Sequence, residues 1–267
     1  MMEQISECNG LAGRMATKAI TAVFLVGGMG TRLRSVVPSA PKSLAPLGNK
    51  SFLELLIRQL SHQGIRHLVM CTGYLADQIE NEFKDGRDWD VEIEYSRESR
   101  PLGTAGAVKF ARAHLRESPD FLVMNGDSFL ETDFHQLIRF HREHGGFVTI
   151  AVLPVNNSRR YGKVQLGPDG RVTGFSEKSG GNSSGLVSAG VYVFSRDVLE
   201  HIPEGPSSLE TDVFPRLVNH GIYALEQHGM FIDIGTPEDY IRAQQLCNHL
   251  YGAALGGQRP KDQVSNR

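Results

Sequence analysis

Cysteine is scarce in this chain. Cys8, Cys71 and Cys247 are the three in 267 residues, they lie far apart, and no CxxC spacing occurs. Neither a disulfide framework nor a thiolate zinc site is suggested, and a reducing compartment fits. Long apolar runs are missing too, since none approaches the roughly 18 residues that a membrane span needs. The first twenty residues carry Glu3, Glu7 and Arg14 where a signal peptide would need an apolar stretch. A cytoplasmic location without a membrane partner is therefore expected. Charge of either sign is not in excess: 28 Lys and Arg against 30 Asp and Glu leave a formal net charge of -2. That balance gives no electrostatic case for nucleic acid.

Two familiar phosphate motifs are absent as well. GxGxxG fails because Leu33 stands where the third glycine belongs, and GxxxxGK[ST] fails because no lysine follows the glycines. His135, His141 and His144 cluster on one expected helix without the HExxH spacing, and since histidines on an exposed helix face are usually solvated they are assigned no function. What is present begins with the apolar run from Ala22 to Val26, the pattern of a strand covered on both faces. It leads into Gly27-Gly28-Met29-Gly30-Thr31-Arg32-Leu33. At the carboxyl end of such a strand a parallel sheet offers its ligand crevice. Glycines let backbone N–H groups approach a phosphate, although a glycine cluster alone is more often a tight turn. Arg32 and the later Pro41-Lys42 add two cations. Such a pair suits a triphosphate, because Arg forks across two oxygens and Lys supplies a compact charge.

The rest of the chain alternates in a βαβ rhythm. Ser51 and Glu54 have capping-box spacing ahead of an amphipathic helix from Phe52 to Gln63, with Gly64 as its stop. Strands are expected from His67 to Thr72, Val91 to Ser96 and Phe121 to Met124, with helices from Ala76 to Phe83, Ala105 to Leu115 and Phe134 to His144. From Phe147 onward the pattern turns antiparallel: Val148 to Leu153, Lys163 to Leu166, Arg171 to Phe175 and Val187 to Phe194 are strand-like, with GPDG at 167 to 170 as a hairpin turn. Ser207 and Glu210 repeat the capping spacing before a helix to His220. Strands near Tyr223 to Glu226 and Phe231 to Ile234 and a helix from Pro237 to His249 complete the ordered chain. One domain over 20–252 is expected, with a first half at about 20–145, a substrate-binding second half at about 146–252, and 1–19 and 253–267 as loose ends. Association of copies into a homo-oligomer is left open by the sequence.

Two acids stand in suggestive places. Asp127 follows a buried apolar strand, where it either caps the next element or faces a ligand. Asp233, in Phe231-Ile232-Asp233-Ile234-Gly235-Thr236-Pro237, is costly to bury alone and calls for a cation or donors. Two such acids make a magnesium site plausible.

With these residues in place the chain resembles the sugar-phosphate nucleotidyltransferases, whose signature is a GGxGTRL loop followed by a PK pair; here they are GGMGTRL and Pro41-Lys42. The resemblance spans about residues 21 to 250. It implies an α/β fold, a three-layer Rossmann-like mixed sheet, mostly parallel, with antiparallel substrate-binding strands in the second half. It also implies nucleotide contacts from Val26, Gly27, Gly28, Gly30, Thr31 and Arg32, and further ones from Gly73, Leu102, Gly103 and Thr104. Arg32 and Lys42 would take catalytic roles on the phosphates, and Asp127 and Asp233 would hold Mg2+. On the sugar side it implies Tyr161, Gly162, Glu177 and Lys178 of an F-x-E-K element, Ala189 and Gly190. Ser43 departs from the pattern, since many members have a second proline there. Within the family the chain is most similar to the D-glycero-α-D-manno-heptose 1-phosphate guanylyltransferases, and mannose-1-phosphate guanylyltransferases share much of the pattern. The expected substrates are therefore GTP and a sugar 1-phosphate. Retention of Arg32, Lys42, Asp127 and Asp233 together argues against a silent sugar-nucleotide-binding homologue.

Overall fold

The apolar run after Ile20 divides its side chains between two cores, Ala22 and Phe24 to one and Val23 to the other. A strand with period two can do this only as a central strand with layers on both faces. The computed structural model describes residues 20–115, 118–156, 162–176 and 184–256. In chain order the strands are β1 Thr21–Leu25, β2 Pro46–Leu47, β3 Lys50–Ser51, β4 His67–Thr72, β5 Glu92–Arg97, β6 Asp120–Asn125, β7 Ser128–Leu130, β8 Val148–Val155, β9 Lys163–Leu166, β10 Val172–Ser176, β11 Gly185–Ser195, β12 Ile222–Glu226 and β13 Phe231–Asp233. The main helices are α1 Phe52–His62, α2 Ala76–Phe83, α3 Gly103–Phe110, α4 Phe134–His144, α5 Pro237–Gln245 and α6 Cys247–Ala254.

β1 lies between β4 and β6, and β5 flanks β4, all four parallel. Beyond β6 the sheet becomes antiparallel through β11, which also pairs with β8 and β9, while β10 extends β9 and β12 joins β8 in parallel. β11 changes partner along its length. Its first residues pair with β9 and Val191–Ser195 pair with β6, and the register against β8 shifts between Ser188 and Tyr192. α1, α2, α4, α5 and α6 cover one face, with Leu53, Leu56, Ile79, Leu137, Ala243 and Leu250 in that core. α3 and the chain at 209–217 cover the other, through Ala105, Val108, Leu209 and Phe214. The fold is thus α/β in three layers with a mixed sheet, as the patterning implies. No helix among the described residues is long and apolar enough to cross a membrane.

Local chemistry explains the boundaries. Ser51 Oγ accepts the Glu54 amide and so opens α1, while also donating to Glu82. Gly64, at φ +80, follows the end of that helix. Helical structure after α3 tightens into a 3-10 segment at Ala111–His114 instead of continuing as α-helix. Two expectations are corrected. Ser208, not Ser207, caps the 209–217 segment by accepting the Thr211 amide, and the segment is a π turn, Leu209–Val213, running into one α turn, Phe214–Leu217. The backbone of Ser207 is committed elsewhere: its N–H donates to Leu102 O, and its carbonyl accepts from Ala105 and Gly106. The helix foreseen from Pro237 to His249 breaks at Leu246 and resumes as α6, which carries Leu250 and Ala254 into the core beside α1. Ala254 is therefore buried, two residues past the expected end of the domain.

Candidate active site

A short antiparallel ladder builds the centre of the candidate site. β7 pairs with β13 so that Ser128 faces Asp233, and the Ile234 amide donates to Asp127 O. This brings the two aspartates side by side from distant parts of the sequence. Lys42 Nζ stands between them, 2.5 Å from Asp127 Oδ2 and 3.5 Å from Asp233 Oδ1. Ser128 Oγ donates to Asp127 Oδ1 at 3.2 Å, and the Gly235 amide donates to Asp233 Oδ1 at 2.7 Å. Burial first, and then the Asp127 charge, push the Asp233 carboxyl above its ordinary range, with Lys42 and the Gly235 amide opposing. A half-buried carboxylate pair of this kind attracts positive charge. Among the described residues no group of three or more His, Cys, Asp or Glu side chains is placed to hold a metal. Two hard carboxylates still fit magnesium, which takes one or two and fills its other positions with water and phosphate oxygens.

The glycine loop forms the next wall. Gly30 has φ +54, and a Cβ there would press on Lys42 Cβ at 2.8 Å, so glycine is what lets the loop rest against the lysine stem. Gly28 faces open space. Val26, Gly28, Gly30, Thr31 and Arg32 line a cavity of about 230 Å3 together with Lys42, Ser43 and Asp127. A second cleft, of about 700 Å3, shares Arg32, Lys42, Asp127 and Gly235 with the first. Arg32, Lys42, Asp127 and Gly235 thus stand between the two spaces, and Asp233 borders only the larger.

Behind the loop lies a narrower arrangement. A Cβ on Gly27 or on Gly73 would come within 2.9 or 2.8 Å of Glu98 Oε1, so both glycines make room for that carboxylate. Glu98 Oε2 accepts the Leu102 amide at 3.1 Å. Burial raises the Glu98 carboxyl above its ordinary range, and the amide bond only partly offsets this. Gly103, at φ +70, begins α3 directly against Ser207 O. The Thr104 hydroxyl accepts from Leu209 N at 2.8 Å and donates to Glu210 Oε2 at 3.2 Å, so it ties the loop to the 209–217 segment.

Along the larger cleft stand Gly162, Val164, Phe175, Ala189, Gly190, Tyr192, Glu210 and Phe214. Gly190, at φ +72, lies where β11 changes partner, against the Asn125 side chain. Tyr161, Glu177 and Lys178 lie outside the described residues. The structure therefore gathers Arg32, Lys42, Asp127, Asp233, Gly162, Ala189 and Gly190 around one cleft. To that cleft it adds Glu210, and behind the glycine loop it sets Glu98, which lines a separate cavity of about 840 Å3; the sequence reading passed over both as site residues. Glu98 had one signal, its place just past the carboxyl end of β5. Glu210 had the wrong one, as half of a capping box.

The family model of the nucleotidyl transferases matches residues 21–249. This chain belongs to that family. As a nucleotidyl transferase family member it is 40% identical over 232 residues to mannose-1-phosphate guanylyltransferase catalytic subunit beta of Drosophila pseudoobscura pseudoobscura, a match covering 86% of this chain and 62% of the relative. It spans less than two thirds of the length of such curated relatives. HddC from Yersinia pseudotuberculosis, solved in complex with GMP-PN, is similar with a TM-score of 0.76 and 32% identity, over 85% of this chain and 98% of that one. A structure from Bacillus anthracis assigned as a glucose-1-phosphate thymidylyltransferase shares the fold, with a TM-score of 0.78 at 19% identity over 90% of this chain and 100% of that one.

Proposed function

We propose that this nucleotidyl transferase transfers GMP from GTP to a manno-configured sugar 1-phosphate, D-glycero-α-D-manno-heptose 1-phosphate foremost, for surface polysaccharide synthesis. The observation that carries the reading is the Lys42–Asp127 pair on the wall shared by two cavities, with Asp233 3.5 Å from Lys42 on the side of the larger one. Such a wall suits a reaction that joins two anionic substrates. In that reaction an oxygen of the sugar phosphate attacks the α-phosphorus, the bond from that phosphorus to the bridging oxygen breaks, and pyrophosphate leaves. A phosphate monoester has its second pKa near about 6, so the nucleophile is already anionic and needs no base. The chain's part is then positioning and charge. The glycine-loop amides and Arg32 hold the triphosphate, and Lys42 offsets charge at the reacting phosphorus. Asp127 and Asp233 would hold Mg2+, which when bound neutralises phosphate oxygens and keeps them in place.

Glu98 supports guanine. Guanine presents its N1–H and its exocyclic amine side by side, two donors that a carboxylate can accept together, whereas uracil and thymine present one N–H flanked by two carbonyls that a carboxylate repels. The relatives named as guanylyltransferases and the GMP-PN complex of HddC favour the same base. The names of the curated relatives, mannose-1-phosphate guanylyltransferases, favour the manno configuration. The test is pyrophosphate release with magnesium across four NTPs and a panel of sugar 1-phosphates. Release is expected from GTP only when a manno-configured sugar phosphate is present. Glu98→Gln should cut kcat/KM for GTP about ten- to a hundredfold. Equal release from UTP or dTTP by the unaltered protein would remove guanine from the reading. Nucleotide binding without release in any pairing would point to a regulatory homologue.

A further inference from the structure

We infer that Glu210 selects the sugar, accepting a hydrogen bond from one ring hydroxyl at the far end of the larger cleft; the inference rests on the function proposed above. Glu210 lies in the π turn Leu209–Val213 and lines that cleft. Among the described residues it makes no ion pair, and its carboxylate is instead fixed by hydroxyls. Oε2 accepts from Ser208 Oγ at 3.0 Å and from Thr104 Oγ1 at 3.2 Å, while Oε1 accepts a long bond of 3.4 Å from the Tyr192 hydroxyl. Tyr192 is itself buried and held by Ser188 Oγ at 3.1 Å. An ionised carboxylate has about four lone-pair sites, and these donors take three of them, two on Oε2 and one on Oε1. The remaining site belongs to Oε1.

The surroundings suit a sugar ring. Phe175 and Phe214, which stack with centroids 5.8 Å apart at 22°, line the same cleft. They offer an apolar wall to the C–H face of a pyranose, while Glu210 offers an acceptor to its hydroxyls. A π turn inside a helical segment commonly marks a functional site. Here it also bonds to the start of α3 through Thr104, which holds the carboxylate in place from a second element.

The experiment compares unaltered protein, Glu210→Gln and Glu210→Asp with mannose 1-phosphate and its single-deoxy analogues, reading pyrophosphate release. GTP affinity is followed by calorimetry and folding by thermal melts. Both variants should raise KM for mannose 1-phosphate, about ten- to a hundredfold for the Gln variant, with GTP affinity changed less than about twofold. One deoxy analogue, lacking the hydroxyl that Glu210 reads, should show the same KM in the unaltered protein and in the variants. A merely structural role would penalise every analogue alike, and that outcome would overturn the inference. Loss of GTP affinity in step with sugar affinity would overturn it too. Should Glu210→Gln fail to fold, Glu210→Asp carries the same comparison, because it keeps the charge and withdraws the carboxylate by one methylene. Unaltered protein that is inactive with every pairing would remove the functional reading, and this inference with it.

Discussion

Lys42 explains why two carboxylates tolerate each other at the centre of this site. Held at 2.5 and 3.5 Å, it offsets part of a repulsion that shows in the raised Asp233 carboxyl. Removing either acid therefore changes the environment of the other, and their effects cannot be independent. Asp127→Asn and Asp233→Asn should each lower kcat by orders of magnitude while the fold persists. The double variant should be little worse than either single one. Steady-state kinetics over a magnesium series checks this, and Asp233→Asn behaving like unaltered protein at every magnesium concentration would refute the shared site. The same reasoning separates the substrates. Arg32→Ala should weaken GTP about ten- to a hundredfold in calorimetry and spare the sugar phosphate, because the proposed function gives Arg32, on the glycine loop, to the triphosphate.

Between elements, the junction of α3 with the 207–211 turn is the one that shapes the site. Leu102 O, Thr104 Oγ1 and the amides of Ala105 and Gly106 all bond to that turn, and Gly103 can sit against Ser207 O only because it lacks a side chain. Gly103→Ala should lose about 1–3 kcal/mol through positive-φ strain and the displaced Ser207 carbonyl, and KM for the nucleotide should rise as well. Gly205→Ala is the control. Gly205 has φ +85 but open space around it, so strain alone should appear in the melt and the nucleotide KM should stay put. If both variants move KM alike, the junction does not shape the base subsite.

For the molecule as a whole, acid stability should follow two carboxylates far from the cleft. Burial works to raise Asp120, but the bonds and charges of His141 and Arg142, the latter through Nε at 2.7 Å, outweigh it and hold the carboxyl below its ordinary range. Glu94 is lowered by hydrogen bonds from His114 and His67. With folded values below unfolded ones, each group contributes stability that is present above the ordinary carboxylate pKa of about 4 and is lost as pH falls through the folded value. Melting temperature should therefore drop steeply below about pH 4, and Asp120→Asn should flatten that limb while lowering the plateau. An unchanged acid limb in Asp120→Asn would show that other groups set it.

What the sequence determined by itself was local. Ala22 to Val26 announced a strand with two covered faces, Ser51 and Glu54 announced the start of α1, and His67–Thr72, Phe134–His144 and Lys163–Leu166 were legible to the residue, because period and capping act within one element. The glycine loop, Lys42 and the two aspartates were legible as chemistry for the same reason: each sits in a short, distinctive segment. Other features depended on residues distant in the chain. That Asp127 and Asp233 touch Lys42 is decided by the β7–β13 ladder, and that Gly27 and Gly73 make room for Glu98 by the parallel alignment of β1, β4 and β5. The misplaced cap at Ser207 has the same origin, since its backbone is claimed by α3 across the fold. Glu98 had only its place past β5 and Glu210 only a misleading cap spacing, because a single acid acquires meaning from the groups that tertiary packing sets around it.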